Sequence, residues 1–231
     1  MEILQNGFTL ELCPGAFPLS TDSIALAHFV KLPKNARVLD LGSGCGTLGL
    51  MLCAKDPGCT VTGLELDPAA HETAMQNAAR NEVSHRLTSL CRDLTLPFPE
   101  EAGRYSVCVS NPPYFSGGPQ SQTHGTARRE DSCPIGSVFR AAAQALKYGG
   151  DFFLVHRPER LAELCSLGSE NGLQAKRLLL LRHQADGPIS LILLQFRKGA
   201  KPGLSLFEES LYGNDGSPTP YYRSLYHIQE A

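Results

Sequence analysis

The chain has 231 residues, a net charge of −2 and 42% hydrophobic residues, which suits one domain large enough for a full doubly wound sheet. No apolar run approaches the ~20 residues that a membrane helix needs, and the start, MEILQNGFTLELCPG, lacks the basic and apolar regions of a secretory signal. Eight cysteines, at 13, 45, 53, 59, 91, 108, 133 and 165, form no C-x-x-C pair, so no metal site or disulfide framework is expected and a reducing cytoplasm fits.

Taken in order, Phe8 to Leu12 (FTLEL) alternates as a short strand, and Ser20-Thr21-Asp22 supplies an N-cap cluster for a helix through Val30. Val38 to Leu41 reads as the end of a buried parallel strand, and Thr47 to Lys55 as the helix that follows it. Between them lies GSGCG, with Gly42, Gly44 and Gly46 at every second position. Glycine there lets the backbone turn tightly and approach a ligand. A dinucleotide fingerprint would be G-x-G-x-x-G, which this is not. Asp40, a carboxylate beside the turn, suits a ligand that carries an amine.

Cys59 to Leu66 predicts a β-branched strand ending in Glu65, and Asp67-Pro68 caps and opens a helix to about Asn81. Glu65 falls close to the ~20-residue interval at which a strand-end acid meets a ribose in βαβ sites. Arg86 to Cys91 predicts a third strand leading to Asp93, an acid placed to accept from an adenine amine. Tyr105 to Ser110 predicts a fourth strand, delivering Asn111-Pro112-Pro113-Tyr114 and then Phe115. The two prolines stiffen this segment and keep Asn111 extended. The Asn111 carboxamide and the Pro112 carbonyl can accept both N–H bonds of a planar amine, while Tyr114 stacks on its ring. Positioning rather than a strong base then carries the rate.

The polar segment from Ser116 to Asp131 is long enough for a substrate-ordering lid carrying Arg128 and Arg129. A helix is predicted over Ser137 to Tyr148, stopped by Gly149-Gly150, then a strand from Asp151 to His156 and a helix opening at Pro158. Lys176 to Arg182 and Ile189 to Phe196 predict a closing hairpin. The tail from Gly213 to Ala231, with Tyr221, Tyr222 and Tyr226, is expected to pack on the domain rather than to stack on bases. Between His124 and Ser205 there are 12 Lys/Arg against 7 Asp/Glu, and elsewhere 9 against 16. This basic half is compatible with a phosphate-tracking surface.

Together DLGSGCG, GLELDP and NPPYF resemble the motifs of class I S-adenosylmethionine-dependent amino-methyltransferases. The order STDSIALA, glycine turn, NPPYF and a downstream Arg128-Arg129-Glu130 looks most like the bacterial valine-tRNA adenine-N6-methyltransferase family. The resemblance runs from about Phe8 to the strand pair near residue 197. It implies an α/β fold, a doubly wound, seven-stranded, mostly parallel sheet with a C-terminal antiparallel strand. The whole chain, 1–231, is then one methyltransferase domain: an N-terminal hairpin and helix over 1–35, the sheet over 36–200 and a tail over 201–231. The resemblance further implies S-adenosylmethionine bound by Asp40, Gly42, Ser43, Gly44, Cys45, Glu65, Leu66, Asp93 and Asn111, with Thr21 near its methionine end. Asn111, Pro112, Pro113 and Tyr114 then hold the target adenine, and Arg128 and Arg129 bind RNA, tRNA foremost. A monomer or weak homodimer is expected.

Three rival readings remain. A protein-glutamine amide methyltransferase would, by resemblance, carry a helical domain ahead of the glycine turn, where only about 35 residues stand, below the ~50 of an independent domain. A DNA or ribosomal-RNA adenine methyltransferase differs only in acceptor, and no DNA-recognition domain is evident. A non-enzymatic RNA-binding module would not need Asp40, Glu65 and Asn111 together.

Overall fold

The computed structural model describes residues 1–4, 7–114 and 134–226. Two short antiparallel strands, β1 (Glu2–Ile3) and β2 (Thr9–Leu10), precede helix α1 (Thr21–Phe29). Strands and helices then alternate: β3 (Arg37–Leu41), α2 (Thr47–Lys55), β4 (Thr60–Glu65), α3 (Pro68–Arg80) and β5 (Leu87–Cys91). After β6 (Tyr105–Ser110) come α4 (Ile135–Ala145), β7 (Leu146–His156) and α5 (Leu161–Glu170). The hairpin β8 (Leu173–Gln184) and β9 (Ile189–Lys198), an edge strand β10 (Ser205–Tyr212) and α6 (Pro220–Leu225) complete it.

The main sheet has the order β10-β8-β9-β7-β6-β3-β4-β5. Pairing is parallel from β5 through β4, β3 and β6 to β7, and antiparallel where β9 meets β7 and β8. This is the expected doubly wound, mostly parallel architecture with its antiparallel strand. Because β3 pairs with both β4 and β6, the chain reverses direction of travel across the sheet there, and a crevice opens at the carboxyl ends of those strands.

The sheet has eight strands, not the seven expected, because part of the tail supplies β10. That strand pairs parallel with β8 at the sheet edge. Its first five residues, Ser205 to Glu209, are exposed, so it lacks the one-face burial that makes a strand legible in sequence. The helix expected to reach Tyr148 ends at Ala145 instead. Leu146 is fully buried and pairs with Tyr105, and Gly149, at φ 76°, lies inside β7 where the register with β6 shifts.

Burial explains the helix placement. One face of the sheet packs Val38, Val107, Val109, Phe153 and Leu193 against α1 and α2. The other packs Leu39, Leu41, Cys108 and Leu154 against α4, where Phe139, Phe152 and Phe196 meet with centroids 5.3–6.2 Å apart. As far as Tyr226 the tail packs on the domain: Leu225 is buried, Tyr222 stacks on Tyr226 at 4.5 Å, and Tyr212 lies tilted against Tyr222 at 5.0 Å.

Asn77 of α3 fastens the N-terminal segment over the glycine turn. It is fully buried, accepts from the Glu11 N–H at 2.9 Å, and donates to the carbonyls of Glu11 and Cys45 at 2.8 and 2.9 Å. Asn81, one turn later, makes the same two-way pairing with Thr9. Asn77→Ala strands those backbone groups, and urea denaturation is expected to read a loss of ~2–4 kcal/mol; Asn77→Asp at high pH should lose comparable stability, because its donors are gone.

Candidate active site

The turn after β3 is built by positive φ at three alternate residues, Gly42 (74°), Gly44 (54°) and Gly46 (84°). The N–H groups of Gly42 and Ser43 both donate to the Leu64 carbonyl at 3.0 Å, tying the turn to β4. Gly63 in β4 is required by close approach, since a Cβ there would collide with Ser43 Oγ. Gly46 caps α2 without a side-chain acceptor, which leaves the helix N-terminus open to a ligand.

Asp40 lies under this turn. It is 1% exposed, and among the described residues neither carboxylate oxygen has a hydrogen-bond partner. Ser43 Oγ is likewise buried without one. Burial first, and the Glu65 charge second, push the Asp40 carboxyl from the ordinary 3.8 up to about 8. Glu65 is tied differently: one oxygen accepts from Gly44 N–H at 2.7 Å and the other from Asp67 N–H at 2.9 Å. Cys45 Sγ accepts from the Cys13 N–H at 3.4 Å, with the two sulfurs 3.6 Å apart.

The remaining acids and the acceptor motif sit at neighbouring strand ends. Leu66 follows Glu65 with its side chain half exposed. Asp93 lies two residues beyond β5, where one oxygen accepts from the Thr95 N–H and hydroxyl at 2.8 and 2.6 Å, holding the carboxyl below its usual value. Ser110 Oγ donates to the Leu41 carbonyl at 2.8 Å, locking the end of β6 to that of β3. Asn111 Nδ2 donates to Ser23 Oγ at 3.0 Å, and Tyr114 OH donates to Asn111 Oδ1 at 2.9 Å. Both ends of the carboxamide are thus held, with lone-pair capacity left on Oδ1.

Ser20, not Thr21, caps α1, its Oγ accepting from Ser23 N–H at 3.5 Å. Thr21 is the first helical residue, and its hydroxyl lies 3.3 Å from Tyr226 OH. The structure therefore brings Asp40, Gly42 to Cys45, Glu65, Leu66, Asp93 and Asn111 to Tyr114 to one edge of the sheet. Arg128, Arg129 and Phe115 lie outside the described residues. Sequence reasoning missed Ser23, which orients Asn111, and His156 and Arg157, which back Tyr114. The His156 ring stands 5.0 Å from the Tyr114 ring, and the Arg157 guanidinium carbon 5.4 Å from it. His156 ends β7, and a strand's carboxyl end was the available signal. Burial, followed by the nearby Asp22 carboxylate, raises the Tyr114 phenol, so it stays a donor at neutral pH.

Residues 19–164 match the family model of the methyltransferase small domain. The chain belongs to this family. It is a class I S-adenosylmethionine-dependent methyltransferase. It is similar to the tRNA1(Val) (adenine(37)-N6)-methyltransferase of Edwardsiella ictaluri, 32% identical over 204 residues that cover 85% of this chain and 82% of the relative. The enzyme of the same name from Dickeya chrysanthemi is 30% identical over 189 residues, covering 80% and 75%. In fold, the methyltransferase resembles a crystal structure described as a predicted O-methyltransferase from Agrobacterium tumefaciens, with a TM-score of 0.75, 20% identity and coverage of 90% and 96%. A TehB-like S-adenosylmethionine-dependent methyltransferase from Corynebacterium glutamicum matches at TM-score 0.53 and 19% identity, covering 78% and 89%. Among the described residues, no helix is long and apolar enough to cross a membrane, and no cluster of three or more His, Cys, Asp or Glu could hold a metal.

The Asp40 shift sets a pH dependence. Its native pKa lies above the unfolded one, so the native state binds more protons between the two values, and stability falls as pH rises from about 4 to about 8. Ligand-free Asp40→Asn should flatten that fall, gaining melting temperature over the parent at pH 8 and little at pH 4. Equal gains at both pH values would contradict the shift.

Proposed function

We propose that this methyltransferase methylates the exocyclic N6 amine of adenine in RNA, with tRNA the foremost substrate. The observation that carries the reading is the Asn111 carboxamide, fixed at the end of β6 by Ser23 and Tyr114. A held acceptor of this kind suits a planar amine, and the relatives named above act on adenine in a tRNA by their names.

S-adenosylmethionine supplies a methyl group activated by a sulfonium. The residues at the glycine turn fit that cofactor. A buried Asp40 carboxyl without a hydrogen-bond partner among the described residues, beneath the glycine turn, suits a cationic ligand that donates hydrogen bonds and so favours its ionised form. Glu65, at the next strand end, would accept from ribose hydroxyls, and Asp93 keeps a second oxygen for the adenine amine. Leu66 would cover that ring, and Thr21 would lie toward the methionine end.

On the acceptor side, Asn111 Oδ1 and the Pro112 carbonyl would accept from the two amine N–H bonds, favouring a pyramidal nitrogen whose lone pair is withdrawn from conjugation with the ring and free to meet the methyl group. Pro113 keeps the segment stiff, and Tyr114 would lie against the base. The two prolines and the bond that Asn111 donates to Ser23 hold this geometry before the substrate arrives, so little is lost in ordering it. Arg128 and Arg129 would meet the RNA backbone.

Methyl transfer from labelled S-adenosylmethionine to total bacterial tRNA, read by nucleoside analysis, is expected to yield N6-methyladenosine. Asn111→Ala should lower the transfer rate about a hundredfold or more while cofactor affinity changes less than about threefold. Cofactor binding with no transfer to tRNA would redirect the reading to ribosomal RNA, DNA or protein glutamine.

A further inference from the structure

At the far end of α1 and α2 from the glycine turn lies a second cavity of about 660 Å³, within the size range of small-molecule sites. Arg177 of β8 enters it with its guanidinium carbon 4.3 Å from the Phe29 ring centroid and 5.5 Å from that of Phe207. A guanidinium covered by rings keeps its edge N–H groups for a ligand. Here one of them makes only a long bond, 3.4 Å, to Gln195 Oε1.

Lys55 stands on the same wall. Its three donors go to the carbonyls of Ala27, His28 and Val30 at 2.6–2.8 Å, closing the end of α1, so it offers charge rather than a free donor. Burial and then the Arg177 charge push its ammonium down to about 8. Among the described residues, neither Lys55, Arg177 nor the neighbouring Lys31 forms an ion pair with a carboxylate. The Asp151 charge offsets part of the burial cost at Arg177, and an anion placed between the two partly dehydrated cations relieves their remaining repulsion. The buried Tyr221 hydroxyl also lacks a partner there. Asp56 and Glu209 line the cavity as well, and carboxylates accept from hydroxyl or amino groups rather than from an anion.

We propose that this cavity binds a nucleoside monophosphate. Its phosphate lies on the Arg177 edge in the field of Lys55, its base against Phe207, and its ribose hydroxyls toward Glu209. A free nucleotide and a nucleotide within an RNA chain share that chemistry. The site does not depend on the reaction proposed above, because nine helical residues, ~14 Å, separate the two ends of α1.

Calorimetric titration with adenosine 5′-monophosphate tests it, with S-adenosylhomocysteine present in excess so that the adenosine part of the cofactor site is filled. One-to-one binding is expected, with adenosine alone and inorganic phosphate alone each at least about tenfold weaker. Arg177→Gln and Phe207→Ala, both at partly exposed positions, should each weaken the nucleotide about fivefold or more and leave S-adenosylhomocysteine affinity unchanged. Absence of nucleotide binding, or binding insensitive to both substitutions, overturns the proposal. S-adenosylhomocysteine binding is read in the same titrations, so failure at one site is distinguishable from failure at the other. Displacement of the nucleotide by a short single-stranded RNA assigns the cavity to the RNA chain, and no displacement assigns it to the free nucleotide.

Discussion

The carboxylate of Asp40 is the constraint around which the structure is arranged. Strands pair on both sides of β3 and helices cover both faces, so Asp40, one residue from its end, is almost closed off from water. An apolar residue there would fold more stably. Instead an acid sits without a partner, and Glu65 on the next strand adds repulsion. The neighbours accommodate it with open backbone: three left-handed glycines, and a fourth glycine in β4 that leaves space for Ser43. Such a deficit is tolerable where a bound ligand restores it.

The acceptor side shows the opposite condition. Asn111 is held at both ends of its carboxamide, by Ser23 from α1 and by Tyr114 from its own loop, and Tyr114 is backed by His156 and Arg157. One half of the crevice therefore carries unmet electrostatic demand, and the other carries geometry already set. The first suits tight capture of a charged cofactor; the second suits a neutral amine, which must be oriented more than attracted.

Residues whose role follows from backbone geometry were legible in the sequence. The glycine spacing, the Asp67-Pro68 cap and the Asn-Pro-Pro-Tyr segment each report a local conformation, and each stands where a parallel sheet places ligands. Contacts made across the fold were not. Ser23 reaches Asn111 over 88 positions, and Asn77 reaches Glu11 over 66; nothing near either residue marks the pairing. The edge strand β10 was missed for a different reason. SLFEESLY buries only Leu211, near its end, so its strand state comes mainly from pairing with β8.

The position of β9 bears on how the chain reaches this fold. It follows β8 in sequence yet lies between β7 and β8, while β8 runs parallel to β7. After the α5 crossover, direct pairing of β8 onto β7 would thus be a plausible strand match that leaves β9 without its place. Only four residues separate β8 from β9, and a hairpin closes in about 1–10 μs, far faster than a distant parallel crossover. The short connection at Asp186-Gly187-Pro188 therefore acts as a kinetic guide, joining the two strands before either meets the sheet and admitting them as a pair.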